Sequence, residues 1–437
     1  MINIETSSKN LPEKEYIIHF VFTELFETKY LININEDEEN IKIISQDFEL
    51  TVISKYFSLD DLINVNSLPI NSHILRSKYL EDNLPIFYGQ PSIDENNNQI
   101  TINFDLFGII FFMLTRWEEY VSPTRDEHNR FPAKESFAFK MNFIQRPIVN
   151  ELAILLYNIF RSYKVNISLR NNYDVFLTHD IDHLYYPKSP RKFVGDIVKR
   201  RSLNSFFNRV KYSFNSPYNC ISWISDLNQK NKIKSEFYFM AAYGTPFNND
   251  YKINDPNILE SIKTILKNNQ TIGIHPSYKT LNNYELLIKE KNALENTFKL
   301  KIQDGRQHFL RFSSPQTWLD WEKASLKIDS SLGYPEVTGF RCGTGNEFYC
   351  YDFLNRKVLK LKERPLIFMD TSARYYQSLS LSETFDQIKL YKTTCQRYST
   401  PFTLLFHNSS FEEIEWIGFK NKYIEILSLL SDTGLQN

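Results

Sequence analysis

Beyond about residue 170, short apolar runs alternate with longer amphipathic stretches. Apolar runs bounded by polar or turn residues predict buried strands, and apolar residues three and four positions apart predict helices. Repeated strand–helix units are typical of parallel strands, in an α/β barrel or a doubly wound sheet. The strand candidates are DVFLTHD, SEFYFMA, TIGIHP, HFLRFSS, LKIDSSLGY, PLIFMDTS and FTLLFHNSS. The helix candidates between them include residues 255–269, 283–298 and 315–326.

The first part of the chain has a different pattern. Short alternating runs such as NIKIISQ and FELTVIS predict strands, and two helical stretches follow, at 105–120 and 146–163. The most apolar run, Leu106–Leu114, is far shorter than the roughly 20 residues that a membrane span needs, so it predicts a core helix. We therefore expect a smaller mixed α+β domain over residues 1–165 and an α/β domain over residues 172–430.

Composition narrows the class of protein. A chain of 437 residues is longer than one compact core usually organises, which favours two domains. The net charge of −1, with Lys and Arg dispersed, gives no electrostatic basis for binding nucleic acid. The four cysteines form no CxxC pair and predict reduced thiols. The N-terminal stretch MINIETSSKNLPEKEY lacks the apolar segment of a signal peptide, so we expect a cytoplasmic protein without a membrane span.

Polar side chains fall near the ends of the strand candidates. In α/β barrels the reactive groups collect at the carboxyl ends of the strands, so these residues are expected at one rim. They are Asp180, Asp182, His275, Arg311, Asp329, Asp370 and His407.

The stretch THDID places two acids, Asp180 and Asp182, two positions apart after an apolar strand. On an extended strand both side chains face the same side, and two neighbouring carboxylates repel unless a cation lies beside them. A divalent metal bound by one acid, with the other left free as a base, would resolve the repulsion. The alternative is a solvated loop or a helix N-cap, which Asp also favours.

Histidines occupy similar places. His275 follows the strand of TIGIHP, and His407 follows the last strand, FTLLF. His179 and His183 flank the two acids and are either metal ligands or hydrogen-bonding partners of ligands. His308 stands at the start of its strand candidate, HFLRFSS, so we expect it at the opposite end of the strands, in a structural role.

At this point the motifs have a recognisable likeness. Residues 172 to about 430 resemble the polysaccharide deacetylase domain, also called the NodB-homology domain or carbohydrate esterase family 4. That resemblance implies a distorted (β/α) barrel of about seven parallel strands, which removes acetyl groups from N-acetylated sugars with a divalent metal, usually zinc. THDID resembles the family's first motif, TIGIHPSY its second and FTLLFH its last. By these matches Asp180 would be the general base, Asp182 and His275 metal ligands, and His407 the general acid.

The family's third motif pairs an Arg closely with a Pro and has two candidates here. Arg311 in RFSSP fits the strand-then-helix order, and Arg341 in GFRCGTG resembles the motif locally. Either guanidinium would orient Asp180 or bind substrate oxygens; singly, each could instead pack on a Tyr or Phe ring. GFRCGTG and FFMLTRWEEY also resemble a bacterial subgroup with an extra, uncharacterised N-terminal domain.

The second motif departs from the family pattern at one ligand position. The family usually has a second ligand His four residues after the first, where this chain has Lys279. We assign the third metal position to His183, with His179 and His407 as alternatives.

These observations predict a metal-dependent hydrolase that removes an acetyl group from an N-acetylated sugar in cell-surface polysaccharide metabolism. Two alternatives stay open. One is a catalytically inactive carbohydrate-binding protein on the same barrel. The other is a deformylase acting on a nucleotide- or lipid-linked sugar.

Overall fold

The computed structural model describes residues 2–45, 48–186, 203–244, 247–412, 414 and 416–432. Within these residues the chain forms a mixed α/β structure with a six-stranded sheet, a nine-stranded sheet and a small two-stranded sheet. The first eight strands are β1 (Ile2–Thr6), β2 (Tyr30–Ile34), β3 (Ile41–Ser45), β4 (Phe48–Val52), β5 (His73–Leu75), β6 (Leu84–Ile86), β7 (Gly89–Asn96) and β8 (Gln99–Phe104). The others are β9 (Val175–Ile181), β10 (Ser235–Phe239), β11 (Thr271–Ile274), β12 (Asp304–Gly305), β13 (Ile328–Asp329), β14 (Phe348–Asp352), β15 (Lys357–Glu363), β16 (Phe368–Met369) and β17 (Phe402–Leu405).

Helices cover both sheets. They are α1 (Leu11–His19), α2 (Leu106–Thr115), α3 (Trp117–Val121), α4 (Phe137–Lys140), α5 (Ile148–Ser162), α6 (Leu203–Phe214), α7 (Ile221–Lys230), α8 (Pro256–Lys267), α9 (Tyr284–Phe298), α10 (Gln316–Lys323), α11 (Leu381–Arg397) and α12 (Phe419–Ser431). Among the described residues, no helix is long and apolar enough to cross a bilayer.

The N-terminal region is built on the six-stranded sheet, in the order β2-β1-β3-β4-β8-β7. Every residue of α2 is buried, which agrees with a core helix for the apolar run. Asp105 caps this helix, because its carboxylate accepts the backbone N–H of Gly108 at 2.7 Å. The expected helix over 105–120 is interrupted at Arg116, whose left-handed backbone (φ 53°) separates α2 from α3.

The nine-stranded sheet carries the repeated strand–helix units. Its order is β14-β15-β13-β12-β11-β10-β9-β17-β16, and every neighbouring pair is parallel except β14 and β15. The central strand β9 is almost wholly buried, as expected for a parallel sheet covered on both faces. Because parallel strands end at the same edge, the residues after β9, β11, β12, β16 and β17 meet there.

One of the strands predicted from the sequence does not form. The stretch HFLRFSS is not a strand: Phe309 (φ 62°) and Leu310 (φ 52°) are left-handed, which an extended chain cannot continue, and His308–Leu310 form a 3-10 turn. The strand at this place is β12, which begins four residues before His308 and is two residues long. At Gly305 an added Cβ would lie 2.2 Å from the carbonyl oxygen of Ile274, so the close pairing of β12 with β11 requires glycine. His308 therefore follows its strand instead of starting it.

Candidate active site

Asp180 and Asp182 lie on the same face at the carboxyl end of β9. Asp180 is buried, with 2% of its surface exposed, and the Asp182 side chain is 17% exposed. The alternation of an extended strand places His179 and Ile181 on the other face. Both carboxylates therefore reach one cavity, as the sequence predicts.

A possible metal site is formed by Asp182, His275 and His308. One potential ligand atom from each residue lies within 4.8 Å of the others. His275 follows β11 and His308 follows β12, so neighbouring strand ends bring the two imidazoles together, with ring centroids 4.8 Å apart. From the sequence, His308 is predicted at the opposite end of the strands in a structural role; the structure places it in this cluster.

The polar atoms of these three residues fit a metal ion. Each residue has one buried atom without a hydrogen-bond partner among the described residues: Asp182 Oδ1, His275 Nε2 and His308 Nδ1. The other ring nitrogen of His275, Nδ1, donates to the carbonyl of Arg306 at 2.7 Å, so Nε2 is the nitrogen that faces the cluster, 3.3 Å from Asp182 Oδ1. Burial lowers the pKa of His308 to about 3, so its imidazole is neutral, the form that binds metals. Two imidazoles and one carboxylate match the donors of a catalytic zinc site.

The ionisation of Asp182 also suits a ligand. Burial opposes the charged form, but the hydrogen bond from His275 and the positive charge of His407 outweigh it and hold the pKa of this carboxyl well below its usual range. A carboxylate that stays ionised needs no proton removed before it binds a metal.

Arg306 holds the other acid of the pair. Its Nη1 donates to Asp180 Oδ1 at 2.9 Å and to the hydroxyl of Thr178 at 2.9 Å. Nε and Nη2 donate to the carbonyl and hydroxyl of Ser330 at 2.8 and 2.9 Å. The guanidinium also lies over the ring of Tyr238, 5.2 Å from its centroid. The Asp180 carboxylate therefore has a fixed orientation and an adjacent positive charge.

Neither of the two arginines predicted from the sequence, Arg311 and Arg341, is the partner of Asp180. Arg341 Nη2 pairs with Glu119 Oε2 at 2.5 Å, and its Nη1 donates to the carbonyl of Gly333 at 2.7 Å. Arg311 donates to the backbone carbonyls of His128 and Tyr278. The structure thus assigns the contact with Asp180 to Arg306. The sequence missed it because a two-residue strand gives no hydrophobic pattern.

His407 is held by a buried acid. Its Nδ1 donates to Asp370 Oδ1 at 2.7 Å, and its backbone N–H donates to Oδ2 of the same carboxylate at 2.7 Å. The hydroxyl of Ser410 donates to Oδ2 at 2.6 Å. Burial disfavours the imidazolium, but the contact with Asp370 outweighs it and raises the pKa of His407 to about 10. His407 Nε2 faces the cavity, 3.7 Å from Asp182 Oδ2.

The structure does not bring His183 or His179 into the metal cluster. The side chain of His183 is 46% exposed, and its Nδ1 lies 3.4 Å from Asp250 Oδ2. His183 follows the end of β9, so its position beside the acids in sequence does not bring it beside the His275 ring. His179 points to the opposite face, where Nδ1 donates to the carbonyl of Phe406 at 2.9 Å and Nε2 accepts from Asn228 at 3.0 Å.

These groups share a cavity of about 330 Å³. The candidate metal ligands line it together with Asp180 and His407, and aromatic and apolar side chains form the rest of its walls. The wall residues Tyr375 and Tyr376 are 60% and 51% exposed. The lining residues are Arg130, Asp180, Asp182, His275, His308, Phe309, Leu310, Pro335, Met369, Thr371, Tyr375, Tyr376 and His407.

The sequence contains a signal for the two residues it did not reveal. Arg306 and His308 are two positions apart in GRQH, just as the acids are two apart in DID. Each pair follows a strand, so the same spacing would have indicated Arg306 and His308 only once the end of the two-residue strand β12 was known; His308 lines the cavity, and Arg306 contacts the lining residue Asp180.

Among known protein families, one family model matches the first part of the chain. A family model described as a family of unknown function (DUF7033) matches residues 2–165. No curated protein sequence matches the chain.

The similar solved structures cover 61% of the chain. One is a protein from Mycobacterium smegmatis classed with the polysaccharide deacetylases, with 12% identity, a TM-score of 0.40 and 87% of its own length covered. Another is a wild-type CE4-family pseudoenzyme from Bacillus anthracis, with 10% identity, a TM-score of 0.31 and 63% covered. A third is the CE4 domain of a multidomain xylanase from the hindgut metagenome of Trinervitermes trinervoides, with 12% identity, a TM-score of 0.26 and 84% covered. Identities this low leave the roles of this chain's residues to their own geometry.

The arrangement provides the groups of a hydrolytic site. A carboxylate with a fixed orientation, a protonated imidazole and a possible metal site surround one cavity. Such a site can take a proton from water on one side of a substrate and give a proton to a leaving group on the other.

Proposed function

We propose that this protein is a metal-dependent hydrolase that removes the acetyl group from an N-acetylated sugar. The observation that carries the proposal is the convergence of three pieces in one cavity: the ligands Asp182, His275 and His308, the Asp180–Arg306 pair and the His407–Asp370 pair. Each piece supplies a different requirement of amide hydrolysis.

Asp182, His275 and His308 would hold the metal, and zinc suits their donors best. A divalent ion held there would supply Lewis-acid chemistry that polarises the amide carbonyl. The chain has Lys279 where the family usually has a second ligand histidine, and His308 would take the place of that histidine. This substitution supports an active site over a binding protein that has lost its metal.

Asp180 and His407 divide the proton transfers between them. Asp180 would accept a proton from the attacking water, because Arg306 fixes its orientation and leaves the cavity side of the carboxylate free. His407 would donate a proton to the leaving amine, because Asp370 keeps the imidazole protonated. The amine leaves as a neutral group, and the acetyl group leaves as acetic acid with the oxygen of the water. Proton exchange with solvent then returns Asp180 to its charged form and His407 to its protonated form.

The walls of the cavity support a sugar as the substrate. Its volume of about 330 Å³ suits a small ligand, and the exposed rings of Tyr375 and Tyr376 present flat apolar faces with polar hydroxyls. A sugar ring has the same combination of an apolar face and polar edges.

The nine-stranded sheet would be a distorted (β/α) barrel. The hydrogen bond from Leu366 N to the carbonyl of Leu332 at 3.1 Å supports this, because it joins the segment after β13 to the segment before β16.

The experiment is acetate release from N-acetylglucosamine and its oligomers by the zinc-loaded protein. We expect release that a chelator abolishes and that zinc restores. His275→Ala should remove activity, whereas His73→Ala, at an exposed histidine of the N-terminal region, should keep it. Formate release from the matching N-formyl sugar, without acetate release, would establish a deformylase. Sugar binding with no release from either substrate would favour the carbohydrate-binding alternative.

A further inference from the structure

One lining residue of the cavity comes from the N-terminal region. Arg130 belongs to residues 2–165, yet its side chain lines the same cavity as His275 and His308. Only 5% of Arg130 is exposed, so this is not a solvated surface arginine. The region of unknown function therefore forms part of the wall of the candidate active site.

Arg130 is held in place from two sides. Asp126 accepts the backbone N–H of Arg130 and its Nε, both at 2.8 Å. Nη1 donates to the carbonyl of Phe309 at 3.1 Å, and Phe309 directly follows the metal-site residue His308. The position of the guanidinium is therefore fixed relative to the ligand cluster. Among the described residues, Nη2 has no hydrogen-bond partner, so this end of the group is free to bind a ligand.

The charge around Arg130 is positive. Arg311 is close by, because its Nε donates at 2.8 Å to the carbonyl of His128, two residues before Arg130. Within the described part of the chain Arg311 makes no ion pair, and Asp126 pairs with Arg130. The negative charge of Asp180 is balanced by Arg306, and that of Asp182 by the metal of the proposed function. The cavity wall at Arg130 therefore has two guanidinium groups beside one paired carboxylate.

We propose that Arg130 binds an anionic group of the substrate, either a carboxylate or a phosphate, and that the substrate is therefore an acidic N-acetylated saccharide. This inference rests on the proposed function and adds the class of sugar to it. A guanidinium presents its donors in a planar fork that matches both anions, and such charge-assisted bonds are stronger than bonds to a neutral hydroxyl. The N-terminal region would then select the substrate for which the central sheet supplies the chemistry.

The test measures binding instead of turnover. The affinity of the full chain is measured by titration calorimetry for N-acetylglucosamine, for its 1-phosphate and 6-phosphate, and for N-acetylglucosaminuronic acid. The measurement is made on the protein as purified and again after chelation, because a phosphate also binds zinc directly. We expect at least one acidic probe to bind about tenfold more tightly than the neutral sugar, or better, in both states. The phosphate and carboxylate probes distinguish the two sources of the anion.

Variants assign the preference to the arginine. Arg130→Gln should reduce the preference to near one, because it weakens the binding of the acidic probes more than that of the neutral sugar, and Arg130→Lys should keep part of the preference. Arg76→Gln, at an exposed arginine of the same region, should keep all of it. The proposal is overturned if no acidic probe binds more tightly than the neutral sugar, or if Arg130→Gln keeps the preference. Equal loss of acidic and neutral binding in both Arg130 variants would mark a structural arginine and overturn it too.

Failure of this inference and failure of the proposed function give different results. If the inference alone is wrong, acetate release from neutral sugars continues without any preference for acidic ones. If the proposed function alone is wrong, no acetate is released, but the Arg130-dependent binding of acidic sugars remains measurable.

Discussion

Arg306 Nη1 lies 2.9 Å from Asp180 Oδ1, and both side chains are buried. The guanidinium is fixed by further bonds to Thr178 and Ser330, so it cannot follow the carboxylate if the carboxylate turns. Asp180 is therefore oriented by a rigid partner, which is what a base aimed at one water molecule requires.

Replacing Arg306 tests this relationship. Arg306→Lys keeps the charge but loses the fork that bonds Asp180, Thr178 and Ser330 together. We expect acetate release to fall about 10- to 100-fold, the usual cost of losing a partner that orients a catalytic group, with the loss in kcat and not in KM. Arg311→Lys is the matched control and should change kcat less than about twofold. Equal effects of the two changes would contradict the assignment of Arg306.

The third metal ligand can be tested by replacing His308, which the structure places in the cluster, and His183, which the sequence predicted, each by alanine. His308→Ala removes one of three donors, so the bound zinc should fall from one equivalent per chain to a small fraction of that. His183→Ala alters a half-exposed imidazole that faces Asp250 instead of the cluster, and one equivalent of zinc should remain. Elemental analysis after dialysis measures both. Loss of zinc in His183→Ala alone would restore the sequence-based assignment.

The sequence predicted the parts of this site that follow ordinary strands. Asp180, Asp182, His275 and His407 come directly after or at the end of apolar runs long enough to recognise, and parallel strands gather such residues at one edge. Arg306 and His308 escaped because their strand, β12, has two residues, and because the left-handed Phe309 ends the extended chain beyond it. These two features depend on tertiary contacts with β11 that no local pattern records.

Glu119 connects the N-terminal region to the loop before β14. Its carboxylate accepts from Arg341 at 2.9 and 2.5 Å and from Arg116 at 2.9 Å, and all three side chains are buried. Burial disfavours the charged form, but the two guanidinium groups outweigh it and lower the pKa of Glu119. Arg341 thus acts in this buried network and not beside Asp180.

Removing the charge of Glu119 should destabilise the whole chain. Glu119→Gln leaves Arg116 and Arg341 short of a buried counter-charge, which typically costs about 3–5 kcal/mol in the free energy of unfolding. Denaturant unfolding followed by tryptophan fluorescence measures the loss. Glu127→Gln, at a side chain that is 87% exposed, is the control and should be neutral. A loss below about 1 kcal/mol for Glu119→Gln would show that the network contributes little.

His179 predicts a pH dependence of stability. Burial lowers its pKa to about 4, and as a neutral ring it is satisfied by Phe406 and Asn228. Between its unfolded pKa of about 6.5 and this value, the unfolded chain binds a proton that the native chain does not. The neutral His179 ring therefore contributes fully to the free energy of unfolding above pH 6.5. This contribution is lost as the pH falls towards 4, by up to about 1.4 kcal/mol per pH unit.

The comparison that isolates this effect uses His179→Gln, which is neutral at every pH and keeps one donor and one acceptor. Free energies of unfolding of the native chain and the variant, measured at pH 7.5 to 4.5, should converge as the pH falls. His73→Gln, at an exposed histidine, should follow the native curve. A constant difference between native and His179→Gln would contradict a neutral buried imidazole.

The central claim is that Asp180 is the base of a metal-dependent deacetylase, and the most direct measurement is acetate release by zinc-loaded Asp180→Asn beside its zinc content. Asparagine keeps the size of the side chain but cannot accept the proton, and Asp182, His275 and His308 stay in place. We predict one equivalent of zinc, as in the native chain, and a kcat lower by about 10²- to 10⁴-fold. Near-native acetate release by an Asp180→Asn variant that retains its zinc would contradict the account.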